Sequence, residues 1–240
     1  MLTGVNTGDF GRTTGEKFID LLRALDAVEG IERYRISSIE PNLLTDEIIA
    51  FCASSPKFQH HFHIPLQSGS DRILALMRRR YTTARFADRI TAVRRLMPDA
   101  FIGIDVIAGF PGETEEDFQS TREFLSGLAP SFLHVFPFSE RPGTPAVELP
   151  GKVQASAITR RVAELEALCT ELHGDFCRRG VGTQAEVLFE STVRGGMMFG
   201  YTGNYRRVRV PYDRSKVNAV CRVELTAMDE SHDLIGKILD

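Results

Sequence analysis

With 240 residues the chain is long enough for one large domain, or for a large domain and a small one. Its 42% hydrophobic and 25% charged residues are ordinary for a globular protein, and 29 basic against 32 acidic side chains give a net charge of −3. Bulk charge therefore announces no nucleic-acid partner, and any RNA binding has to come from a local patch.

The chain opens on Met-Leu-Thr-Gly-Val-Asn followed by Thr-Gly-Asp-Phe-Gly, like the end of a strand and the loop after it. The N-terminal part of a longer protein is therefore expected to be missing. Lys17 to Val28 carries Phe18, Leu21, Leu22 and Leu25 at a helix period, closed by Gly30. Tyr34 to Ile39 reads as a strand running into Glu40-Pro41. Thr45 caps a helix through Ile48, Ile49 and Cys52, broken at Ser54-Ser55-Pro56. His61 to Leu66 is the next expected strand, ending in Gln67-Ser68-Gly69-Ser70. Helices follow over Asp71–Met77 and about Thr83–Leu96.

Phe101 to Phe118 is the stretch around which the other strands are read. Phe101, Ile102, Ile104, Val106 and Ile107 suit a strand covered on both faces. Asp105 is an anomaly there, because a carboxylate in such a strand is costly unless something pairs with it. Gly109 and Gly112 bracket Phe110-Pro111, so the backbone can turn tightly and let a ligand approach. Thr114 caps a helix to about Leu128, with Glu115, Glu116 and Asp117 at its positive end. A strand over Phe132–Phe136 and an amphipathic helix over Ala155–Arg178 complete this part. From Thr183 the chain turns to short alternating segments, which read as a small all-β unit.

Alternating strands and helices imply right-handed βαβ units and a parallel sheet. The expectation is an α/β fold, a partial parallel (β/α) barrel over residues 1–178, followed by a small all-β barrel over 179–240. SIEP, LQSGS, GFPGET and FSERPGT each follow a strand and precede a helix, so they would ring one cavity. That convergence points to an enzyme. A binding module and an unrelated β/α-barrel enzyme are the alternatives. The latter would need a lysine or paired carboxylate at a strand end, where only Glu40 and Asp105 stand.

The scattered Cys52, Cys169, Cys177 and Cys221 read as buried thiols in a reducing compartment. His61 and His63 share a strand face. With no carboxylate or cysteine at a supporting spacing, no metal is expected on His60, His61 and His63. No apolar run is long enough to span a bilayer, so a cytoplasmic location and no membrane partner are expected.

Taken in order, GVNTGDFG, RISSIEP, HIPLQSGSDRILALMRRRY, DVIAGFPGETEEDF and HVFPFSERPGTPA resemble the radical S-adenosylmethionine methylthiotransferases over nearly the whole chain. HVFPFSERPGTPA and RISSIEP look most like the branch that modifies N6-threonylcarbamoyladenosine in tRNA, beside the anticodon. The resemblance implies S-adenosylmethionine, [4Fe–4S] clusters and a reductant for them, a tRNA anticodon region as partner, and a C-terminal β-barrel called TRAM. It implies insertion of a methylthio group at C2 of the adenine. The family's C-x3-C-x2-C loop and its further N-terminal cysteines are absent here, so nothing in this chain would ligate the iron.

The same resemblance places Thr3, Gly4 and Asn6 at the methionine end of the cofactor, where amide and hydroxyl groups would pair with an ammonium and a carboxylate. Alone, they would read as an ordinary turn. Ser38 and Glu40 suit ribose hydroxyls or an amine. Gln67 and Ser68 are assigned to the cofactor or substrate, with Ser70 left as a helix cap. Gly109, Phe110, Pro111 and Gly112 form the adenine-side loop, whose backbone would meet the base, and Asp105 orients a neighbouring loop. Arg79 matches the family's M-x-R-x-Y pattern and suits a methionine carboxylate, an RNA phosphate or a solvated surface. Arg141 closes the ring. In the tail, Val208 and Val210 would point inward, leaving Tyr205, Arg207 and Arg209 to stack on a base and bind phosphates. None of these residues is expected to be catalytic.

Overall fold

The computed structural model describes residues 1–239. Helix α1 (Phe18–Asp26) buries Phe18, Ile19 and Leu22. Four later helices start on hydroxyl caps. Thr45 accepts from the Ile48 N–H to start α2 (Asp46–Ser54), and Ser70 accepts from Ile73 to start α3 (Asp71–Leu76). Thr82 accepts from Arg85 at α4 (Thr83–Leu96), and Thr114 accepts from Asp117 at α5 (Glu115–Leu128). Each cap satisfies an N–H that the first turn leaves open.

Three strands, β1 (His61–His63), β2 (Phe101–Ala108) and β3 (Phe132–Pro137), form a parallel sheet in that order. Single parallel bridges extend it toward the N-terminus: Ser38 to His63, Tyr34 to Phe58 and Leu2 to Ile36. The α/β class and parallel pairing are as expected. Two expected strands are thinner than their sequences suggest. Tyr34–Ile39 is no continuous strand, because only alternate residues meet a neighbour and they turn to different ones. The ladder of β1 stops at His63 because Pro65 has no N–H to donate, although Ile64 and Leu66 still donate to the Gly103 and Asp105 carbonyls. The core on one face of β2 is apolar: Ile102, Ile104 and Val106 are buried, as are Phe62, Leu66, Phe86 and Phe118, while the alternate face carries Asp105.

The chain divides into two compact units, Met1–Thr170 and the part from Glu171 onward. The division falls inside α6 (Ala155–Arg178), upstream of the change in sequence character near Arg179. The second unit closes five strands into a barrel: β4 (Gln184–Arg194), β5 (Met197–Thr202), β6 (Arg207–Pro211), β7 (Val220–Met228) and β8 (Leu234–Ile238). Their order is β4-β5-β6-β8-β7, with β6 and β8 parallel and the other pairs antiparallel. Val208 and Val210 are buried in it, while Arg207 and Arg209 on the alternate face are half-buried.

Candidate active site

Every strand pairing in the first unit is parallel, so the loops leaving Leu2, Ser38, Leu66, Ala108 and Pro137 share one edge. That edge is where parallel α/β proteins gather their chemistry. A cleft of about 980 Å³ there is lined by Asn6, Asp9, Glu40, Arg78 and Arg79, among others. A smaller cavity of about 320 Å³ is lined by Phe110, Phe138, Ile107 and Thr144. Met77, Arg78 and Arg79 line both.

Three expected residues therefore meet in one place. The Asn6 side-chain oxygen accepts from the Glu40 backbone N–H at 3.3 Å, and its amide donates to Asp9 at 3.0 Å. Arg79 Nη1 lies 3.4 Å from Glu40 Oε1, while Arg79 Nε is buried with no hydrogen-bond partner. A buried donor left open costs about 1–3 kcal/mol, which a ligand oxygen would recover. Thr3, Gly4 and Arg141 are exposed and line neither cavity. Ser38 is half-buried, and its carbonyl accepts from the Thr7 amide and hydroxyl.

Gln67 follows β1 with a left-handed φ of 75°, which a side chain with a Cβ adopts at a cost. It is only 8% exposed and lines neither cavity; its backbone N–H donates to the Asp105 carbonyl at 2.8 Å. Tyr81 holds the approach to it, because its hydroxyl donates to the Pro65 and Leu66 carbonyls at 2.9 and 3.2 Å. Burial pushes that phenol up to about 12. Ser68 is 1% exposed and packs on α5 instead, where its hydroxyl meets Thr121 at 3.3 Å and accepts from the Ser70 N–H. It builds the loop and lines neither cavity.

The Gly109–Gly112 turn departs from expectation in its reason. Both glycines have φ of 85°, so the backbone conformation itself calls for glycine. A Cβ at Gly109 would lie 2.4 Å from Ile158 Cγ1 of α6, so the close approach is to protein. The Gly109 N–H donates to Glu113 at 2.7 Å, and the Gly112 N–H to the Gly151 carbonyl. Neither amide is open to a base. Pro111 is buried, and from this turn the Phe110 ring, edge-on to Phe138, lines the smaller cavity.

Asp105 finds its partner on the neighbouring strand. Its Oδ1 is 2.6 Å from His63 Nε2, and the His134 ring stands 4.9 Å from that of His63. Sequence spacing hides this, since the carboxylate comes from 42 residues away. Strand alternation was the signal available: Asp105 and His134 are register partners across β2 and β3.

The cysteines do not fit an iron–sulfur cluster. All four are buried, and burial raises the Cys52 thiol to about 12 and the Cys177 thiol to about 11. No three converge among the described residues.

In the second unit Tyr205 stacks on Tyr201 at 4.6 Å, and Arg207 covers the Phe199 ring at 4.4 Å. Arg207 and Arg209 are paired with Asp233 at 3.4 Å and Asp229 at 3.1 Å. The face is therefore more nearly neutral than its arginines suggest. No helix among the described residues is long and apolar enough to cross a membrane.

The family model for the radical SAM superfamily matches residues 5–125. A threonylcarbamoyladenosine tRNA methylthiotransferase, MtaB, from Bacillus subtilis is 39% identical over 231 residues, covering 94% of this chain and 51% of that protein. A tRNA-2-methylthio-N(6)-dimethylallyladenosine synthase from Saccharopolyspora erythraea is 41% identical over 189 residues, covering 78% of this chain and 38% of that protein. The chain thus spans about half the length, or less, of these relatives. Coproporphyrinogen III oxidase (HemN) from Escherichia coli, a radical SAM enzyme, shares the fold with a TM-score of 0.51 at 15% identity, over 92% of this chain and 51% of that one.

Proposed function

Because the chain belongs to the radical SAM superfamily, we propose that it is the C-terminal portion of a tRNA methylthiotransferase acting at C2 of N6-threonylcarbamoyladenosine. The single observation that carries the reading is the meeting of Asn6, Glu40 and Arg79 on one cleft at the strand-end edge. A relative named for that activity, aligned along 94% of the chain, supports the substrate.

S-adenosylmethionine, activated by a cluster held outside this chain, would supply the radical chemistry. The residues here bind and orient. Arg79, with its unpartnered Nε, suits the cofactor carboxylate, and Glu40 with Asn6 suits its ammonium. Gln67 offers both a donor and an acceptor to the nucleoside, and Phe110 gives an apolar wall. Asp105, Ser68, Gly109, Pro111 and Gly112 shape this edge. Thr3, Gly4, Ser38 and Arg141 stand at its rim. The barrel is TRAM-like in this reading. Tyr205 would stack on a tRNA base, and Arg207 and Arg209, oriented by their carboxylates, would meet phosphates. The setting is cytoplasmic, with a reductant as further partner.

Calorimetry with S-adenosylmethionine on the 240-residue chain tests the cleft. Binding is expected to weaken roughly tenfold or more in Arg79→Ala, which removes a charge-assisted contact. No binding, or binding indifferent to that change, overturns the cofactor assignment. Nucleoside mass spectrometry of tRNA from cells with and without the intact gene tests the substrate. Loss of the methylthio group from threonylcarbamoyladenosine supports the reading, and loss from the isopentenyl nucleoside moves the chain to the sister branch.

A further inference from the structure

We propose that His63, Asp105 and His134 bind one divalent transition cation with a preference for nitrogen and oxygen ligands, of the zinc type. The three residues come from three adjacent parallel strands. Asp105 and His134 are direct register partners, and His63 lies beside Gly103 on β1. One ligand atom from each lies within 4.8 Å of the others.

A hydrogen-bonded His63–Asp105 pair explains two of these side chains and leaves the third unexplained. His134 is half-buried, and its ring nitrogens make no hydrogen bond among the described residues. Two imidazoles and a carboxylate are a common three-ligand set for a cation that keeps an open position. Ligands about 2.0–2.1 Å from a tetrahedral ion stand about 3.4 Å apart. That spacing lies between the 2.6 Å of His63–Asp105 and the 4.8 Å limit of the group. Closing the site therefore requires His63 and Asp105 to part slightly and the wider-spaced ligand atoms to approach. The His63 and Asp105 side chains keep 25% and 18% exposure, enough for water to reach a fourth position. No thiolate belongs to the set, so it suits a single ion and not an iron–sulfur cluster. The proposal does not rest on the tRNA reading.

The test is titration of the chelator-treated 240-residue chain with cobalt(II), read by visible absorbance, and with zinc(II), read by calorimetry. One equivalent per chain is expected. Asp105→Asn and His134→Gln, both close in size to the native residues, should each weaken it by roughly tenfold or more. His60→Ala should leave it unchanged. Circular dichroism identifies any variant that fails to fold, and the other then decides. Absence of saturable binding in the native chain, or equal binding in the folded variants, overturns the site.

Discussion

Arg161 and Glu113 form an ion pair with almost no water around it. Their side chains are 5% and 1% exposed, and Nη1 lies 2.7 Å from Oε2. That same carboxylate oxygen accepts the Gly109 N–H, so the pair pins the turn that carries Phe110 to the smaller cavity. Burial raises Glu113 above the usual carboxylate range, and the Gly109 N–H and Arg161 only partly counter it. A carboxyl raised in the folded state keeps its proton where the unfolded chain has lost it. Its contribution therefore favours folding below the ordinary value of 4.5 and is lost as pH rises through the folded value. Arg161→Met removes a lowering influence and moves the folded value further up. At neutral pH the charge is left alone, and the variant should lose about 3–5 kcal/mol. The deficit should shrink as pH falls toward 4.5 and Glu113 takes up its proton. Urea unfolding at a series of pH values measures this. A deficit independent of pH would show that lost packing, and not the stranded carboxylate, sets the cost.

At the scale of elements, the Gly109–Gly112 turn joins β2 to α5 and lies against α6. Alanine at Gly109 meets two obstacles, a φ of 85° and a Cβ 2.4 Å from Ile158 Cγ1. A left-handed residue with a Cβ costs about 1–3 kcal/mol, and overpacking adds a similar amount. Gly109→Ala should therefore lower stability by more than about 2 kcal/mol. Thermal unfolding of the double variant with Ile158→Ala separates the two costs. Recovery beyond the single Ile158→Ala effect assigns part of the loss to the helix contact, and none leaves it all in the backbone.

The same turn shows what could be read from sequence. Thr45, Ser70, Thr82 and Thr114 announce helices because a cap acts within three residues. The glycines announce a turn because φ is a local property. What the turn packs on was hidden, since Ile158 lies far along the chain. Tyr34–Ile39 has the pattern of a continuous strand but makes only isolated bridges, because pattern reports a strand's faces and not its partners. Asn6, Glu40 and Arg79 were legible through strand order, which puts their loops on one edge. Ser68 looked like Gln67 in sequence, and only its packing on Thr121 separates them. His134 escaped because its meaning depends on Asp105 across the strand boundary.

At the scale of the whole molecule, each unit carries its own core. In the first, Ile102, Ile104 and Val106 of β2 are buried among helix residues. In the second, Val187, Phe189, Met198, Val208, Val223 and Leu234 fill a five-stranded barrel. A barrel that small has little room at its axis, so Gly236 makes space there. A Cβ on it would lie 2.5 Å from Val223 Cγ1 and 2.9 Å from Val208 Cγ1. The walls are themselves hydrogen-bonded strands and cannot step aside without breaking the ladder. Gly236→Ala should cost about 1–3 kcal/mol, borne by the barrel alone if the two cores open independently. Hydrogen exchange reads this directly: protection should fall across residues 184–238 and hold in the strands at 61–63, 101–108 and 132–137. The strand-edge cleft lies wholly in the first unit, so under the proposed function S-adenosylmethionine binding should survive the change while tRNA binding falls. Loss of protection in both units together would mean one cooperative structure, and the division of labour between cleft and barrel would then fail with it.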